Sequence, residues 1–130
     1  MKTIFLIDDD PDDREIFAES LLSDHPSFFY REAENGAAAF ALLQSESFVK
    51  PDLIFLDLNM PIMDGRVFLK KIKEDPALNN IPVIIYSTSS SEADKMFAAE
   101  HQAALFLTKQ YSLELIRADI RKALESFLGL

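Results

Sequence analysis

Apolar residues along this chain come in short unbroken runs, and amphipathic stretches separate them. Ile4-Phe5-Leu6-Ile7, Leu53-Ile54-Phe55-Leu56 and Val83-Ile84-Ile85-Tyr86 contain no strongly polar residue. Runs this short, bounded by turn formers such as Pro51-Asp52 and Pro61, predict strands buried on both faces. Ala103-Ala104-Leu105-Phe106-Leu107 predicts another strand. Phe28-Phe29-Tyr30-Arg31-Glu32-Ala33 mixes aromatics with charge, as an edge strand does.

The intervening stretches read as helices with identifiable starts. Asp10 before Pro11 supplies a capping carboxylate and then the residue favoured at the first helical position. Ile16, Phe17 and Leu21 follow at helical spacing, and Asp24-His25-Pro26 closes the element. Asn35-Gly36 opens a second helix, from Ala37 to about Gln44. Asp64-Gly65 starts a third, with Val67, Phe68 and Ile72 expected inward; its lysines, Lys70, Lys71 and Lys73, complement the negative end of the helix dipole. Ser91 with Asp94 resembles a capping box for a fourth helix reaching about Glu100, with His101 placed to cap its carbonyls. Leu113, Ile116, Ile120, Ala123, Leu124 and Phe127 share one face of a fifth.

Five strands thus alternate with five helices, with no linker, repeat or low-complexity segment. The pattern predicts one α/β domain over residues 1–130, built on a doubly wound parallel sheet covered on both faces. A hydrophobic content of 48% suffices for one core. There is no cysteine, hence no disulfide and no thiolate metal site. No apolar run is long enough to cross a bilayer, and Asp8 interrupts the amino-terminal run too early for a signal peptide, so a soluble, cytoplasmic protein is expected. The formal net charge of −9 disfavours nucleic acid and anionic membrane surfaces as partners, and it makes a bound cation easier to accommodate than a bound anion.

Chemistry collects at the strand ends. Three apolar strands run into Asp8-Asp9, Asp57 and Ser87, and a fourth ends at Thr108-Lys109. In a parallel sheet these ends share one edge, the edge where open α/β folds bind ligands. Carboxylates about 5 Å apart repel by about 3 kcal/mol at an effective dielectric near 20, so the acids need a proton or a cation between them. Oxygen donors without His or Cys favour a hard ion, and Mg²⁺ combines one or two carboxylates with water and phosphate oxygens. Such an ion, with Lys109 opposite, would neutralise charge while Asp57 attacks phosphorus, and Ser87 would hydrogen-bond the attached group. Asp10, Asp12 and Asp13 are read as capping and charging the first helix. His25 reads as turn chemistry.

These residues, with the turn Met60-Pro61-Ile62-Met63-Asp64-Gly65, resemble the receiver domain of two-component response regulators along essentially the whole chain. The resemblance implies a flavodoxin-like three-layer sandwich with strand order 2-1-3-4-5. It implies that Asp57 accepts a phosphoryl group from a sensor histidine kinase or histidine phosphotransfer protein. Asp8, Asp9, Asp57 and the main-chain carbonyl of Asn59 would hold Mg²⁺, Lys109 would assist, and Ser87 and Phe106 would stand at the switch positions. A downstream effector protein would read the altered surface, and a homodimer through helix 4, strand 5 and helix 5 is a further expectation. With no output domain after the fifth helix, the expected type is a stand-alone receiver. Gln110 departs from the family, which usually places proline after this lysine. Because a cis bond before a non-proline residue costs about 2.5–4 kcal/mol, Lys109–Gln110 is expected to be trans. Free-standing receivers associated with phytochromes similarly lack that proline.

Three rival readings are weaker. An aspartyl phosphohydrolase would use the Asp8-x-Asp10 spacing, but it needs a helical cap and a further acidic motif. A receiver-like binding module would not require the intact acidic, acceptor and lysine positions. A flavodoxin would carry a Ser/Thr/Gly-rich phosphate loop where this chain has three aspartates.

Overall fold

Each continuous apolar run becomes a strand of one parallel sheet in the computed structural model, which describes residues 1–129. The strands are β1 (Thr3–Ile7), β2 (Phe29–Ala33), β3 (Leu53–Leu56), β4 (Val83–Ser87) and β5 (Leu105–Thr108). The helices are α1 (Pro11–Asp24), α2 (Gly36–Gln44), α3 (Gly65–Glu74), α4 (Glu92–Glu100) and α5 (Leu113–Leu128). The strand order is β2-β1-β3-β4-β5, the order expected. β1, β3 and β4 are buried along their length, whereas β2 is largely exposed, as an edge strand should be.

Alternate side chains of the sheet feed two cores, because successive strand residues point to opposite faces. Ile4, Leu6, Leu53, Phe55, Ile84 and Tyr86 meet Phe17 and Leu21 of α1 and Ile116, Ile120, Ala123 and Leu124 of α5. Phe5, Ile7, Ile54, Leu56, Val83 and Ile85 face the other way, onto Ala39, Phe68, Leu69, Ile72 and Ala98 of α2, α3 and α4. Burying each large side chain contributes about 1.5–3 kcal/mol, so this double layer dominates the stability.

The helix starts follow their local chemistry. The side chains of Asp10, Asn35, Asp64, Ser91 and Ser112 accept from the first-turn amides of their helices. The capping box at α4 forms only by half. Ser91 Oγ accepts from Asp94 N at 3.1 Å, but the Asp94 carboxylate turns instead to Ser89 and Arg66. His101 contacts the Phe97 carbonyl through Nδ1 at 3.0 Å, fulfilling its expected capping role. Among the described residues no peptide bond is cis, so Lys109–Gln110 is trans as expected.

Three residues of the apolar stripes read from the sequence point outward. Ile16, Val67 and Leu113 are 36%, 46% and 61% exposed. Each inward stripe is offset from the one predicted: α1 buries Phe17, Ser20 and Leu21, and α3 buries Phe68, Leu69 and Ile72. At about 100° per residue, a stripe centred on Phe17, Ser20 and Leu21 leaves Ile16 at its margin, and one centred on Phe68, Leu69 and Ile72 turns Val67 away. Leu113 opens α5, and the buried stripe there begins only at Ile116.

Gly65 is the most closely approached of the three glycines. A Cβ built there would lie 2.1 Å from the Asp57 carbonyl oxygen and 2.8 Å from Leu58 Cα. Both are backbone atoms and cannot swing aside. Gly65→Ala is therefore expected to lower stability by at least about 2 kcal/mol and to displace the turn that carries Asp57. Denaturant unfolding measures the loss; wild-type stability in this variant would show that the approach relaxes easily.

Candidate functional site

Strand register brings the acids together. Ile7 pairs with Leu56 across β1 and β3, so the following residues, Asp8 and Asp57, emerge side by side at the carboxyl edge. Ile7 also pairs with Ala33 of β2, and Ser87 pairs with Thr108, which puts Lys109 at the same edge. Backbone bonds fix the rim: Asp8 N donates to Ala33 O at 3.0 Å, Asp57 N to Ile7 O at 2.9 Å, and Lys109 N to Ser87 O at 2.8 Å.

Asp8 and Asp57 are buried, while Asp9 is exposed. One carboxylate oxygen from each of the three lies within 4.8 Å of the others. Lys109 Nζ stands 2.7 Å from Asp8 Oδ2, 2.8 Å from Asp13 Oδ2 and 3.5 Å from Asp57 Oδ2. Asp8 Oδ2 meets that ammonium off the axis of a good hydrogen bond, and this buried oxygen has no aligned donor. With one Lys109 ammonium shared among Asp8, Asp13 and Asp57, the cluster keeps an excess of negative charge. Together with the all-oxygen donor set, it fits a hard divalent cation.

Burial pushes the Asp8 carboxyl up to about 6, against the pull of Lys109 and of the Asp10 amide. Burial raises Asp57 as well, opposed chiefly by Lys109. Burial alone would lower Lys109, but the carboxylates of Asp13 and Asp8 beside it outweigh burial, and the ammonium is held well above its usual range. The site thus keeps a permanent cation beside carboxylates that burial makes reluctant to ionise.

Ser87 is fully buried at the end of β4, and its Oγ accepts from Ser89 N at 3.2 Å. Asn59 is exposed in the β3–α3 connection, its side chain 3.4 Å from Arg66 Nη1. Phe106 is half-buried against the core that Ile85 and Ala98 share. The ring of Tyr86 lies under Lys109, with Nζ 5.8 Å from its centroid.

Three supporting residues went unnoticed in the sequence. Asp13, assigned only to charging α1, instead grips Lys109. Its spacing to Phe17 and Leu21, one and two helical turns on, puts it on the inward side and was the available signal. Arg14 donates from Nη1 to the Asp8 carbonyl at 2.7 Å and from Nε to Glu32 at 2.9 Å, which holds the acidic loop against β2. Arg66 joins Asp64 at 3.0 Å to Asp94 at 2.7 Å and so ties the start of α3 to α4. Arg66 and Asp94 lie 28 positions apart, and nothing local announces that pair.

This fold and edge chemistry define a class. Residues 4–121 match the family described as the response regulator receiver domain, and the chain belongs to it: a phosphorylation-dependent domain of two-component signalling. Its relatives include response regulator Rcp1 of Synechocystis sp., 38% identical over 120 residues that span 87% of this chain and 80% of Rcp1. The crystal structure of the phosphorylated cyanobacterial phytochrome response regulator RcpA is similar with a TM-score of 0.90 and 34% identity, covering 98% of this chain and 94% of that one. The Mn²⁺-bound form of Rcp1 is similar with a TM-score of 0.84 and 33% identity, again over 98% and 94%. No described helix is long and apolar enough to cross a membrane.

Proposed function

We propose that Asp57 is the phosphoryl acceptor of this receiver domain. The observation that carries the reading is the convergence of buried Asp57, buried Asp8 and the Lys109 ammonium at one strand edge. One Asp57 oxygen forms a bond to phosphorus as the bond from phosphorus to the donor's imidazole nitrogen breaks, leaving an acyl phosphate and a free histidine. The donor is a sensor histidine kinase or a histidine phosphotransfer protein. Lys109 is close enough to bind an oxygen of the transferred group, and it enters the reaction already charged. Ser87 offers a hydroxyl to the same group.

Asp8, Asp9, Asp57 and the Asn59 carbonyl would hold Mg²⁺, whose role is to offset the charge of the phosphoryl oxygens. The Mn²⁺-bound form of Rcp1 supports a divalent ion here. The chemistry is confined to gain and loss of phosphate on the domain's own carboxylate, with no external substrate turned over. Phosphate on Asp57 draws Ser87 and its loop inward and frees space for Phe106. The surface of α4, β5 and α5 then changes for a downstream effector or a second copy.

Incubation with acetyl phosphate and Mg²⁺, followed by intact mass measurement, tests the reading. The expected result is one added phosphoryl group, removed by hydroxylamine as an acyl phosphate is. An unmodified protein, or a hydroxylamine-resistant adduct, refutes it.

A further inference from the structure

We propose that Asp13 is a positioning residue for Lys109, and that its charge limits how firmly the site holds a phosphoryl group. The inference rests on the reading of Asp57 as acceptor. A lysine ammonium carries three protons and no acceptor. Here Nζ lies 2.7 Å from Asp8 Oδ2, 2.8 Å from Asp13 Oδ2 and 3.5 Å from Asp57 Oδ2, and its aligned hydrogen bond goes to Asp13. The ring of Tyr86 closes a further side of the ammonium. Lys109 is therefore held closer to the two amino-terminal acids than to the acceptor.

Asp13 reaches this position because α1 turns the side of the helix carrying Phe17 and Leu21 toward the sheet, and Asp13 lies one turn before Phe17 at the open end. The contact joins residues 96 positions apart, across the fold from α1 to the end of β5. Asp8 and Asp9 belong to the oxygen cluster that fits a cation, but Asp13 does not. A cation there offsets Asp8 and leaves Asp13 as the acid beside Lys109 that the cation does not neutralise. Its negative charge then does two things. It aims the ammonium, and it repels the phosphoryl group that the ammonium must also bind.

These effects separate by substitution. Asp13→Asn keeps an oxygen able to accept from Lys109 but removes the charge, whereas Asp13→Glu keeps the charge. The test uses the full chain with Mg²⁺ and beryllofluoride as the phosphoryl mimic, titrated by calorimetry at saturating Mg²⁺. Affinity for Mg²⁺ alone is measured on the same proteins. Asp13→Asn is expected to bind the mimic about fivefold to tenfold more tightly, since a like charge one ammonium away is gone. Its affinity for Mg²⁺ alone is expected to hold or fall, because the lost charge attracted cations. Asp13→Glu is expected to match wild type in both measurements. Unchanged or weaker mimic binding by Asp13→Asn overturns the inference, as does a parallel gain in affinity for both ligands. A wild-type protein that binds no mimic overturns the acceptor reading, and this one with it.

Discussion

Asp57→Asn is expected to reduce phosphoryl incorporation from acetyl phosphate to background, while the protein still folds and still binds a divalent ion, more weakly. Neutral carboxamide oxygen is a poor nucleophile toward phosphorus, and no other buried carboxylate stands at the acceptor position. Asp8, the nearest candidate, is closed in by Lys109 at 2.7 Å and by the Asp10 amide, which donates to its Oδ1 at 2.9 Å. Removal of the buried charge is also expected to raise stability at neutral pH, because burial lifts the Asp57 carboxyl above its ordinary range and so penalises its ionised form. Intact mass after labelling checks the first expectation and thermal unfolding the second. Labelling of Asp57→Asn at the wild-type level would place the acceptor elsewhere.

Asp8→Asn is expected to stabilise the metal-free protein at neutral pH and to remove most of its stabilisation by Mg²⁺. The folded protein holds this carboxyl at about 6, against 3.8 for a free aspartate. A carboxyl raised in the folded state favours folding below the ordinary value of 3.8, and that contribution is lost as pH rises through about 6. Above that, the buried carboxylate opposes folding by an amount on the order of 3 kcal/mol, taking 1.36 kcal/mol for each pH unit between the two values. Asparagine escapes most of this penalty, which is already net of the attraction of Lys109, so a gain of about 1–3 kcal/mol is expected at pH above about 7. At pH below about 4 the two proteins should converge. Thermal unfolding across this range in the presence of EDTA, and again with Mg²⁺, makes the comparison. Wild-type stability in metal-free Asp8→Asn at neutral pH would show that Lys109 already compensates the charge, and an undiminished Mg²⁺ effect would remove Asp8 from the ion's ligands.

Local chemistry made much of this molecule readable in advance. The runs Ile4–Ile7, Leu53–Leu56 and Val83–Tyr86 could bury both faces only in a covered parallel sheet, and the residue after each run had to emerge at one edge. Asp10, Asn35, Asp64 and Ser91 fixed helix starts through side-chain bonds to amides two or three positions on. Asp8, Asp57, Ser87 and Lys109 were legible for the same reason, since a strand end is a position in space as well as in sequence.

What the chain alone determined, then, is whatever depends on neighbours within a turn or a strand: the elements, their caps, and the rim residues that strand register carries into one place. Only the tertiary structure decided which of two adjacent helical residues faces the core, as with Ile16 and Phe17 or Val67 and Phe68. Only it assigned Asp13 to Lys109, Arg14 to the Asp8 carbonyl, and Arg66 to Asp94. Residues a fraction of a turn apart have almost the same local energy in a helix. Their orientation, and the choice of partner for a long charged side chain, is set by the shape and charge of elements far away in sequence, which exist as neighbours only once the sheet has closed its layers.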